Sequence, residues 1–255
     1  MNLFERYLKK NNRTFSKSSK LFALLILSTI IVHVSGWALN YKMGSFLEVS
    51  RDADRFYNML YPATDGGYFE HFQYILLLWC SLLSFIWLFT RRYFEALSIP
   101  LIYLYLFIDD SLRLHDQLIG DFLEKFIVNY QFFEQDIFRS KDIAEWTYWL
   151  FILIVALIIS IPGFKSSSFE VRQFLKNNYI LFLVLSFFGA FIDLLSANIN
   201  KWLSPFFQSQ ILVEIFTLIE ELGEILTIAF MCIWLFKIVL DNKSSNKQIN
   251  LKIHD

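Results

Sequence analysis

Two short stretches place acids where lipid is expected: "LYLFIDDSLRLHD" around Asp109 and Asp110, and "TLIEELGEILTIAF" around Glu220, Glu221 and Glu224. Asp193 stands alone in a third apolar run and His33 in a fourth, while Glu70 and His71 open a fifth. A charged side chain at the centre of a bilayer costs about 2.5–3.5 kcal/mol on insertion scales, so each such residue is a functional hypothesis. Carboxylates and imidazoles without thiolates form a hard-to-borderline donor set suited to Fe, Mn or Zn. The spacing therefore nominates Asp110, Asp193, Glu220, Glu221, Glu224, His33 and His71 as metal ligands, with Asp109, Asp110 and His115 as acid–base residues. A bound divalent metal there activates water or polarises an ester.

Helical geometry supports convergence within each stretch. At 100° per residue, Glu220, Glu221 and Glu224 share an arc of about 100°, and Asp109, Arg113 and Asp116 one of about 60°. A rise of 1.5 Å per residue puts Asp193 about 21 Å, and His33 about 18 Å, from the basic ends of their runs. Asp109 and Glu224 reach similar depths. Four helices running in both directions thus carry ionisable groups at one level.

Composition states what those groups are embedded in. The chain is 56% hydrophobic and 18% charged, against about 25% charged in soluble domains, which makes it a membrane protein. Six apolar segments approach the ~20 residues that cross a ~30 Å hydrocarbon core: 21–39, 71–90, 96–118, 146–161, 179–195 and 211–236. The third is long enough only if it continues through Asp109 and Asp110. Pro162-Gly163 is expected to end the fourth. No small-residue cleavage site follows the first run, so it reads as an uncleaved span.

Lys and Arg decide orientation. Arg6 to Lys20, Arg91, Arg92, Lys165, Arg172, Lys176, Lys237 and Lys243 fall on one side, and the opposite loops are more acidic. The expected fold is all-α: a polytopic cell-membrane protein with six transmembrane helices and both termini cytoplasmic. Residues 1–20 form a basic cytoplasmic segment, 21–240 the membrane domain and 241–255 a disordered cytoplasmic tail. Phe122, Phe126, Tyr130 and Phe133 give the segment 121–137 one apolar face, which reads as an amphipathic helix on the outer surface.

The acid layer has competing readings. Arg113 can neutralise Asp109, Asp110 or Asp116 on its own helix, leaving a structural ion pair. No Lys or Arg lies in the fifth span or beside Glu220, however, so neighbouring acids must bind a cation or hold protons. Acid chains also mark proton or cation paths, although the inner half of the spans offers almost no polar residues to complete one. Cys80 and Cys232 sit in apolar runs and read as packing residues. No Gly-rich phosphate loop, nucleophile elbow, nucleic-acid patch or mid-span retinal lysine is present.

The leading expectation is a metal-dependent, hydrolase-like membrane enzyme acting on a lipid or other amphiphile. A proton- or cation-coupled transporter and a non-catalytic membrane subunit are the alternatives.

Overall fold

The computed structural model describes residues 17–44, 67–114, 125, 140–166, 168–192, 194–195 and 210–251. Among them there is no strand. The helices are α1 (Lys17–Gly44), α2 (Tyr68–Arg91), α3 (Ser98–Leu112), α4 (Ser140–Phe164), α5 (Phe169–Ser186) and α6 (Gln210–Leu251). A 3₁₀ turn, Phe94–Ala96, leads into α3, and a π-helical turn, Phe187–Ile192, extends α5. The expected surface helix at 121–137 lies outside the described residues, apart from Lys125.

Four of these segments are long and apolar enough to cross a membrane: Tyr68–Arg91, Trp146–Phe164, Phe169–Ile192 and Ile215–Leu240. Their outward faces expose Leu82, Ile86 and Phe89 on α2 and Leu150, Phe151 and Ile158 on α4. Such faces require lipid as solvent, since water would penalise each exposed apolar side chain. In α1 the apolar stretch is shorter, Ser18–Val32; it lies along α6, burying Ile26 and Ile30 and stacking Phe22 on Phe236 with ring centroids 4.1 Å apart.

Boundaries differ from the sequence reading where charge misled hydropathy. Helix α5 starts at Phe169, ten residues before the expected 179, because Ser168 caps it by accepting from the Val171 N–H at 3.4 Å and Glu170 complements its N-terminal dipole. Helix α4 does not stop at Pro162 but runs through it to Phe164. Gly163 serves packing instead: a Cβ there would overlap Leu175 and the Glu95 carbonyl. Helix α6 continues to Leu251, into the stretch read as a disordered tail.

Contacts set the register. Cys80 Sγ lies 4.0 Å from the Ile228 carbonyl, and Trp87 stacks on Phe174 (3.9 Å), which stacks on Trp234 (5.8 Å). Helices α2 and α6 therefore run parallel. Ser81 donates to the Pro100 carbonyl at 3.0 Å, and α3 returns antiparallel to α2. The bundle has a basic end, with Arg91, Arg92, Lys165, Arg172 and Lys237, and an acidic end, with Glu70, Asp109, Asp110 and Glu220.

Candidate functional site

The acidic end is assembled from α2, α3 and α4. Asp109 is fully buried (0% exposed) near the end of α3; the helix runs through it and Asp110 but ends at Leu112, short of the expected 118, and is not among the four segments long enough to cross a membrane. Asp109 Oδ1 accepts from the Tyr148 hydroxyl of α4 at 2.8 Å and from the Tyr105 hydroxyl, one turn earlier on α3, at 3.4 Å. A buried carboxylate is tolerated when hydrogen-bonded, and this one ties α3 to α4.

Beside it, Tyr74 of α2 donates to Glu70 one turn before it. Arg113 Nη2 lies 3.8 Å from Glu70 Oε2. Arg113 follows α3 in the left-handed region (φ 51°, ψ 45°), a conformation that costs a non-glycine residue of order 1 kcal/mol. That turn ends α3, with the Arg113 N–H bonded to the Asp110 carbonyl at 3.2 Å, and swings the guanidinium toward α2. Arg113 thus has an ion pair with Glu70 on a neighbouring helix, a partner the sequence reading did not name. Asp110 is half-buried and within electrostatic reach of the Tyr74 phenol. His71 is exposed, and its Nδ1–H donates to the Gly67 carbonyl at 2.8 Å, which leaves only Nε2 for any other role.

Helix α6 brings Glu220, Glu221 and Glu224, all half-buried. Each takes part in a polar or electrostatic interaction. A reciprocal notch joins α6 to the π-helical turn. A Cβ on Gly189 would overlap the Glu224 carboxylate, and a Cβ on Gly223 would overlap the Phe188 ring. Close helix approach through small residues is the usual packing device in lipid, and here it also seats an acid.

Sequence reasoning missed four side chains of this layer. Tyr74 and Tyr105 stand four residues from Glu70 and Asp109, a spacing that puts them on one helical face and was legible. Tyr148 reaches Asp109 only through folding. Gln73, 5% exposed, has no partner for its buried Nε2. Among the described residues no three His, Cys, Asp or Glu side chains group as metal ligands. Asp193 and His115 lie outside the described residues, as does the side chain of His33.

The basic half is less empty of polar groups than expected. Ser160 Oγ bonds Ser98 Oγ and the Tyr179 hydroxyl, each at 2.7 Å, and Tyr179 donates to the Ala156 carbonyl at 2.7 Å. Deeper still, the Tyr103 hydroxyl donates to Asn178 Oδ1 at 2.7 Å. All these groups are neutral. Cys80 and Cys232 are free, buried and side by side between α2 and α6.

Residues 21–238 match the family model described as a domain of unknown function (DUF8692), and the chain belongs to that family. The match runs through every helix that builds the two polar layers. No curated protein and no solved structure matches the chain.

Proposed function

We propose that this family member is a six-span membrane protein with both termini cytoplasmic, and that its acidic layer is the site of a metal-dependent, hydrolase-like enzyme acting on a lipid or amphiphile. The basic end then faces the cytoplasm by the Lys/Arg rule, with residues 1–20 and 241–255 on that side. The acidic layer lies toward the outer leaflet.

The observation that supports the site is the seat of Glu224 on Gly189. It brings an acid of α6 against the turn that leads, four residues on, to Asp193. Glu220, Glu224 and Asp193, with Glu221 and Asp110 alongside, are the proposed ligands of Fe, Mn or Zn; His33 and His71 are further candidates. A cation held there supplies Lewis acidity for an ester carbonyl or an attacking water. Asp110 and His115 are assigned the proton transfers. Asp109, locked by two phenols, holds α3 against α4 and positions Asp110.

The test is metal content by elemental analysis of the detergent-purified protein beside a Glu220→Gln/Glu224→Gln variant. Near-stoichiometric metal in the parent and its loss in the variant support the reading, and lipid-ester hydrolysis is then assayed. Metal in neither sinks it. Cation or proton flux in vesicles would replace the enzyme with a transporter.

A further inference from the structure

The chain holds two cysteines, far apart in sequence, and the fold brings them together. Cys80 Sγ lies 4.0 Å from the Ile228 carbonyl, and Cys232 follows on the same face of α6, one turn further on. The two thiols interact directly, and the Tyr103 hydroxyl of α3 stands within electrostatic reach of both sulfurs. That hydroxyl is itself fixed by α5, donating to Asn178 Oδ1 at 2.7 Å. Four helices thus gather around one pair of sulfurs. Small side chains flank them, Ser84 on α2 and Ala229 on α6, and all four residues are 1% exposed or less. Small residues let two backbones approach closely in lipid, and a disulfide needs β-carbons about 3.5–4.5 Å apart.

We infer that Cys80 and Cys232 are a modification site, an oxidisable pair that closes to a disulfide and staples α2 to α6. Packing alone is served by any small apolar side chain at either position and does not call for a thiol at both. The oxidant is a peroxide, small and uncharged enough to enter the bilayer. One sulfur attacks a peroxide oxygen, the O–O bond breaks, and the thiol proton leaves with the departing hydroxide as water, giving a sulfenic acid. The second sulfur attacks that sulfenic sulfur; the S–S bond forms, the S–O bond breaks, and a second water carries off the remaining proton. The two thiols lose two electrons in total, and the peroxide is reduced to two waters. Reactants and products are neutral, so the finished bond leaves no charge in lipid. The thiolate is the nucleophile, so a buried pair reacts slowly, as α2 and α6 part locally. Tyr74 lies six residues before Cys80 and Glu224 eight before Cys232, about 9 and 12 Å along their helices. The staple therefore sits about two turns from the acidic layer and fixes the helices carrying Glu70 and Glu224 against each other. It depends on neither the metal nor the enzyme reading.

The experiment treats the full chain in lipid vesicles with hydrogen peroxide for hours, then denatures it and counts free thiols by maleimide labelling and intact mass. Untreated protein takes a label on each cysteine. Treated protein is expected to take none, to weigh about 2 Da less, and to stay a monomer. Proteolysis should then release a peptide joining α2 to α6 that dithiothreitol splits. Closing so long a loop raises the unfolding temperature by ~5 °C or more, a rise that dithiothreitol reverses and that Cys80→Ser and Cys232→Ala do not show. Both thiols still labelled after treatment overturn the inference. Added oxygen without the joined peptide does so too, because each sulfur then oxidises alone, and so does a bond between two chains. A joined peptide with an unchanged unfolding temperature overturns the staple. The mass and peptide readouts use the parent chain, so a variant that fails to fold leaves the test intact.

Discussion

The two halves of the bundle are both polar inside, yet they spend that polarity differently. At the basic half, Ser98, Ser160 and Tyr179 bond one another and the Ala156 carbonyl, and Ser81 bonds the Pro100 carbonyl. These are neutral, short, mutually satisfied contacts between helices. At the acidic half, Glu70, Asp109, Asp110, Arg113 and Glu224 are ionisable, and a left-handed arginine and a glycine seat are used to place two of them. Neutral hydroxyls are sufficient to hold helices together in lipid. Buried and half-buried acids are the expensive alternative, and they gather in the half proposed as the site.

The sharpest break of this comparison is Asp109→Ala. It leaves the Tyr148 and Tyr105 hydroxyls without their acceptor, and a loss of about 2–4 kcal/mol is expected in detergent unfolding; Asp109→Asn, which keeps an acceptor, costs less. Gly223→Ala comes next, at about 1–3 kcal/mol, because its Cβ meets the Phe188 ring. Trimming Phe188 to Leu in the same chain should recover part of that loss, a coupling that a double-mutant cycle reads directly. Ser160→Ala removes two hydroxyl contacts of the neutral half and should cost about 0.6–1.7 kcal/mol, the range for interhelical hydrogen bonds in membranes. If it costs as much as Asp109→Ala, the two halves do not differ in the way described. The smallest effect is Ser84→Ala: Ser84 Oγ is buried without a partner, so stability should stay level or rise by up to about 1 kcal/mol.

Much of the fold was legible because apolar runs must become helices where backbone groups find no water. That argument located the cores of α2, α4 and α6 and carried α3 through its paired aspartates. It failed at α5, where Arg172 and Lys176 lower the hydropathy of a helix that begins earlier, and at Pro162, through which α4 continues to Phe164. The acids of the site were legible as well, since charge inside an apolar run is visible without any structure. Their neutral partners were not: a tyrosine such as Tyr148 looks like any interfacial aromatic until α4 is placed against Asp109.

By itself, then, the amino-acid order determined that the chain is helical and that it needs lipid around it. Each of these follows from hydropathy and a fixed rise per residue. Only the tertiary structure decided which side chains meet. Arg113 went to Glu70, Asp109 to Tyr148, and Glu224 to Gly189, because helix register and crossing depend on small-residue notches and turns that act between segments far apart in sequence.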